Sequence, residues 1–249
     1  METIEIGGIS YYYIDTGNGA SLVLLGGTIG TAKSDFSKQI DSFSADYRVI
    51  APERRGYGHT RPPNRDYPDD FYQRDAKDMA AFIKALKLGP ATVFGWSEGA
   101  DVALCLGALY PETVSRLVVW GGLAEVTADD IEIFEARRDV SLWPTKVCDA
   151  LTEAYGETYW KTTWWKWCDV MVRLHGQGGN VRLAPIEQIS CPTMVIHGAE
   201  DTLVRTNHAV TIHNRIQGSV LKIMDGCGHS PHITHTENFH QLVRKFIND

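Results

Sequence analysis

Apolar residues along this chain fall into short dense runs separated by longer segments with helical spacing. The runs at 21–25, 47–51, 91–94, 117–120, 193–197 and 220–224 are rich in Val, Leu and Ile and lack strict alternation. That pattern predicts strands covered on both faces. Near the start, 2–6 and 9–14 flank Gly7-Gly8, a two-residue hairpin signal. Between the later runs, 71–86 places Phe71, Met79, Phe82, Ile83 and Leu86 roughly along one helical face, and 98–110, 205–216 and 237–247 read similarly. Strands alternating with helices predict an α/β fold, with a mostly parallel central sheet, helices on both faces and the opening hairpin as an antiparallel edge.

One region breaks the alternation. Residues 125–185 contain no convincing strand but carry Trp160, Trp164, Trp165 and Trp167. The segment predicts a helical lid inserted into a core formed by 1–124 and 186–249. Its tryptophans either make a small core of their own or line a pocket beneath the lid.

The chemistry gathers at strand ends, where sites of open α/β sheets lie. GWSEG at 95–99 follows the run 91–94 and opens a helix, the strand–turn–helix setting of a G-x-S-x-G nucleophile elbow. Ser97 is therefore the candidate nucleophile, and the bland alternative is a tight turn that happens to hold a serine. A serine needs a base, itself oriented by an acid, in the chain order Ser, Asp/Glu, His. HGAEDTLV supplies Asp201 just past 193–197, with Glu200 as a competitor one residue nearer the strand, and GCGHSPH supplies His229 past 220–224. Backbone N–H groups must meet the oxyanion; Glu98 is one candidate and Thr28, in the loop GGTIGT, the other. His229, His232 and His235 form an H-x-x-H-x-x-H run, but no carboxylate or cysteine joins it at a familiar metal spacing. No metal or cofactor is expected.

Composition narrows the classes further. The 249 residues carry a formal net charge of −7, which argues against nucleic acid or an anionic membrane as partner. Five scattered cysteines without CxxC pairs suit reduced thiols. No basic leader and no apolar run of about eighteen residues is present, so a cytoplasmic enzyme is expected, apart from any transit peptide already removed. The expected partner is a small-molecule ester, and the expected state a monomer or weak oligomer.

Ser97, Asp201 and His229 around a parallel sheet resemble the α/β-hydrolase fold. The resemblance extends to PERRGYGHTRPP, where Glu53 stands in place of the more usual aspartate. RRGYGHTRPPNRDYP, RDAKD, GWSEGA, VVWGG, ARRDVSLW and HGAEDTLV together resemble the valacyclovir hydrolase, or biphenyl hydrolase-like, family over residues 20 to 249. This implies a serine hydrolase of α-amino acid esters with a helical lid. Two departures stand out. Glu98 replaces the family's aspartate, which pairs with a substrate α-ammonium, and GGT replaces proline-glycine-methionine in the oxyanion loop.

Glu98 poses a physical problem. In a helix's first turn a carboxylate gains about 0.3–1 kcal/mol from the macrodipole. Against a developing oxyanion some 4–6 Å away, at an effective dielectric near 20, it loses about 3–4 kcal/mol. A compensating cation is therefore expected, and a substrate ammonium bound at Glu98 would serve; a glutamate that turns to solvent and only caps the helix is the alternative. Other activities left open are a neutral-ester or lactone hydrolase, a C–C bond hydrolase, which Glu98 would disfavour for anionic dienoates, and a slow-turnover ligand sensor.

Overall fold

A computed structural model of the chain describes residues 1–182 and 184–248. Position 183 of the expected insertion and position 249 of the expected core lie outside the described residues. Eight strands among them form one sheet in the order β1-β2-β4-β3-β5-β6-β7-β8. The hairpin β1 (Glu2–Ile6) and β2 (Ile9–Thr16) turns at Gly7 and Gly8, whose φ of 56° and 79° are the left-handed values a tight hairpin requires. Strand β2 then pairs antiparallel with β4 (Arg48–Pro52). From there the sheet is parallel through β3 (Ser21–Leu25), β5 (Ala91–Trp96), β6 (Val114–Trp120), β7 (Thr193–Gly198) and β8 (Val220–Met224).

Successive side chains of each central strand enter opposite layers. Val23 and Leu25 join one buried cluster with α2 (Phe71–Ala85), α3 (Glu98–Leu109) and α7 (Thr206–Arg215). Leu22 and Leu24 join the other, with α1 (Ala32–Phe43) and α9 (Thr236–Asn248). This explains why the central runs lack alternation: both faces are covered. Strand β8 differs from that expectation. As the sheet's edge it leaves Val220 and Ile223 exposed.

Helix α1 was not expected from the sequence. Its start is marked by Thr31, whose hydroxyl accepts the Ser34 N–H while Ser34 returns the bond to the Thr31 N–H. This is a capping box with serine where Glu or Gln is usual. Phe36, Ile40 and Phe43, spaced by four and three, form its buried face.

Between β6 and β7 lie α4 (Ala128–Ala136), α5 (Thr145–Tyr155) and α6 (Glu157–Gly176). They do not close on a separate core. Phe134, Trp160, Trp164 and Trp167 belong to the same apolar cluster as α2 and α3. Polar latches fix the helices at both ends. The Tyr155 hydroxyl donates to Gly30 O at 2.6 Å and accepts the Gly58 N–H at 2.9 Å. At the other end, His208 Nε2 meets Asp130 Oδ1 at 3.0 Å, and Arg137 donates to Thr202. The short helix α8 (Pro231–Thr234) follows the loop after β8.

Candidate active site

Ser97 sits between β5 and α3 with φ 53° and ψ −124°, a strained conformation for a residue with a Cβ. The Ser97 N–H donates to Trp120 O at 2.9 Å and ties the turn to β6. Close approach demands Gly99, since a Cβ there would lie 2.0 Å from Leu25 O. The elbow thus presses α3 against the end of β3, which brings the loop after β3 beside Ser97.

The loops after β7 and β8 deliver the other two expected residues. His229 Nε2 lies 3.0 Å from Ser97 Oγ, and His229 Nδ1 lies 2.7 Å from Asp201 Oδ2. Asp201 Oδ1 accepts the N–H groups of Leu203 and Val204 at 2.8 and 3.0 Å. Burial would raise the Asp201 carboxyl, but the His229 bond and these N–H groups outweigh it and hold its pKa below the usual value. An ionised Asp201 fixes the proton on Nδ1, leaving Nε2 free to accept from Ser97. The Trp96 indole N–H holds the base's backbone by donating to His229 O at 3.0 Å. Glu200 is exposed and has no contact with the histidine among the described interactions, so Asp201 holds the acid's place.

Thr28 and Glu98 both line the cavity beside Ser97. Among the described residues the Thr28 N–H has no acceptor within the chain, whereas the Gly27 N–H is taken by Asp35 Oδ2 at 2.9 Å. The Glu98 N–H belongs to the first turn of α3, where a helix leaves its donors free.

The Glu98 side chain corrects the premise drawn from sequence. It does not turn to solvent, and its compensating cations come from the protein. Oε1 accepts Arg54 Nη1 at 2.8 Å and Arg65 Nη2 at 2.9 Å. The Tyr57 hydroxyl lies 3.0 Å from both carboxylate oxygens, and Thr28 Oγ1 donates to Oε2 at 3.0 Å. Asp75 closes the set, accepting Arg54 Nη1 at 3.0 Å and Arg65 Nη1 at 2.9 Å. The four charged side chains are at most 2% exposed, and their formal charges cancel. Burial pushes the Glu98 carboxyl up, but Arg65 and Arg54 prevail and lower its pKa. Two of the positions that depart from the family pattern, 28 and 98, are therefore bonded to each other.

Ser97, His229, Thr28 and Glu98 open into a cavity of about 620 Å³. The inserted segment lines it mostly with apolar side chains, Phe134, Trp143, Leu151, Trp164 and Trp167 among them, joined by Arg137 and Asp139, and the core adds Val204. Of the two expectations for the tryptophans, the pocket wall holds for two of them and the separate core for none. Trp164 and Trp167 line the cavity, Trp160 is fully buried against Trp143, and Trp165 is exposed.

Comparison with known proteins identifies the family. Residues 22–242 match the alpha/beta hydrolase family. Human serine hydrolase BPHL is 36% identical over 98% of this chain and 85% of its own. The chain belongs to the alpha/beta hydrolase family. Within that family its similarity to BPHL places it with the valacyclovir hydrolase/biphenyl hydrolase-like proteins. A more distant relative is the 2-hydroxy-6-oxo-6-(2'-aminophenyl)hexa-2,4-dienoic acid hydrolase of Metapseudomonas resinovorans, 26% identical over 98% of this chain and 89% of its own. In fold, a meta-cleavage product hydrolase from Pseudomonas fluorescens IP01 superposes with a TM-score of 0.83 at 24% identity, covering 100% of this chain and 97% of that one.

Several residues around this hydrolase's site escaped the sequence reading. Arg54 and Arg65 lie in the stretch that carried the resemblance, yet nothing in their spacing indicates that they converge on position 98. His232 stood in the sequence only as the middle residue of the H-x-x-H-x-x-H run. It is buried, with Nδ1 accepting from the Trp120 indole at 3.0 Å and Nε2 lying 3.2 Å from Asp35 O. Both nitrogens are engaged, which removes the middle ligand of the H-x-x-H-x-x-H run. No helix among the described residues is long and apolar enough to cross a membrane.

Proposed function

We propose that this α/β hydrolase is a carboxylic ester hydrolase using Ser97, His229 and Asp201 in two-step acyl transfer. His229 Nε2 takes the Ser97 proton as Oγ attacks the ester carbonyl, and the Thr28 and Glu98 N–H groups receive the oxyanion. His229 then protonates the leaving alcohol and activates water for deacylation, while Asp201 holds its tautomer. The observation that carries the reading is the unbroken chain Ser97 Oγ–His229–Asp201, at 3.0 and 2.7 Å, on the wall of a roomy cavity. Because Arg54 and Arg65 neutralise Glu98, a neutral ester with an apolar group against Trp164 and Trp167 meets no charge penalty. The same neutralisation removes the repulsion that had counted against an anionic dienoate.

A second reading, hydrolysis of α-amino acid esters, is supported by the family resemblance and by one feature of the cavity. Asp35 lines it, accepts only the Gly27 N–H and the Ser34 hydroxyl, and pairs with no cation among the described residues. In that reading a substrate ammonium meets Asp35, because Glu98 already accepts from Arg54, Arg65, Tyr57 and Thr28. Steady-state turnover of a p-nitrophenyl ester, an amino acid ester, its N-acetylated twin and a ring-fission dienoate separates the cases. Multiple turnover of any ester, lost in Ser97→Ala, supports the proposal; turnover of the dienoate alone overturns it. Equal kcat/KM for the amino acid ester and its acetylated twin removes the second reading.

A further inference from the structure

The loop that meets the oxyanion is gripped from beneath by buried polar groups. Arg54 Nη2 donates to Gly26 O at 3.0 Å and to Gly27 O at 3.2 Å. Asp35 accepts the Gly27 N–H, and Thr28 Oγ1 donates to Glu98 Oε2. Each contact runs to a side chain held in turn by others. Arg54 is locked between Asp75 and Glu98, and Glu98 between Arg54, Arg65 and Tyr57. The loop holds local strain and is tightly packed: Ile29 has a φ of 52°, and Gly30 lies so near Asp35 that a Cβ would sit 2.0 Å from its carboxylate.

We infer that Glu98 is a positioning residue for the oxyanion hole, with Arg54 as its partner. Its backbone supplies one oxyanion N–H, and its carboxylate, through the Thr28 hydroxyl, holds the residue that supplies the other. One residue thereby fixes the spacing of both donors. Such donors act only when already placed where charge develops, and errors of about half an ångström weaken them. This gives the acidic residue beside the nucleophile a purpose that needs no charged substrate. The inference rests on the acyl-transfer reading for its setting, but its test reaches Ser97 chemistry by two routes.

Thr28→Val removes the hydroxyl and leaves the Arg54–Glu98–Arg65–Asp75 set with its own contacts; Thr28→Ser keeps the hydroxyl. Two rates are measured for each: kcat and KM on a p-nitrophenyl ester, and the second-order rate of Ser97 phosphonylation by a fluorophosphonate. Deleting an oxyanion donor outright typically lowers kcat by about 10²–10³, so letting one drift is expected to lower it by about ten-fold. Thr28→Val should lose about that factor in both rates with KM nearly unchanged, and Thr28→Ser should recover most of it. Wild-type rates in Thr28→Val, a change confined to KM, or equal losses in Val and Ser would overturn the inference. An enzyme that is phosphonylated but turns over no ester would sink the ester reading and still decide this one from the phosphonylation rates.

Discussion

Replacing Glu98 with glutamine separates a built-in charge pair from a site awaiting a substrate cation. In the folded protein, Glu98→Gln leaves Arg54 and Arg65 facing Asp75 alone, two cations against one anion in a region at most 2% exposed. The amide oxygen can still accept from both arginines when its NH₂ takes the place of Oε2 beside the Tyr57 and Thr28 hydroxyls, so the change removes the charge more than the bonds. Each guanidinium–carboxylate attraction is worth about 4 kcal/mol gross, for charges 4 Å apart at an effective dielectric near 20. The variant recovers some of this because one charge fewer is buried, and breaking one side of a buried pair typically nets a loss of about 3–5 kcal/mol. For a chain of this size that is a fall in Tm of roughly 6–20 °C. Urea unfolding at pH 7.5, in low and in 0.5 M salt, measures it; the loss should be nearly salt-independent, because the pair is buried. A loss under about 1 kcal/mol, with the whole effect appearing as a raised KM for ammonium-bearing esters, would show that Glu98 waits for its cation from outside.

Further outcomes follow from other contacts. Ser97→Gly should abolish turnover yet raise stability by about 1 kcal/mol, since it relieves a residue held at φ 53°; unchanged or lower stability in urea would contradict the strain. Asp201→Asn should lower kcat by about 10⁴, because the amide no longer fixes the His229 tautomer, and a loss below ten-fold would remove Asp201 from the triad. Burial lowers the His232 pKa to about 3, against about 6.5 unfolded. Its stabilising share is therefore complete above pH 6.5 and lost on acidification, about 2 kcal/mol between pH 6.5 and 5. His232→Phe should be less stable at pH 7 but show a stability–pH slope shallower by up to about 1.4 kcal/mol per unit in that window. A slope equal to wild type would mean that His232 charges freely in the fold.

Much of the architecture could be read from local pattern. The short Val/Leu/Ile runs became strands because a sheet covered on both faces needs apolar residues at every position, as in β3 and β7. The hairpin followed from Gly7-Gly8, and the nucleophile from the glycines that let strand and helix meet. Helix α1 was missed although Phe36, Ile40 and Phe43 have helical spacing, because its cap uses Ser34 in place of Glu or Gln and Phe36 departs from helical angles. The edge position of β8 was equally hidden, since strand order is a property of crossovers and not of any run.

What the sequence determined by itself was the fold class and the order and loops of Ser97, Asp201 and His229, because periodicity and turn chemistry act between near neighbours. What only the tertiary structure decided was the meaning of Glu98. Its partners stand 44, 33, 41 and 70 positions away, at Arg54, Arg65, Tyr57 and Thr28. A charge in a dry interior is defined by whatever the fold brings within about 3 Å of it, and no spacing along the chain records that distance.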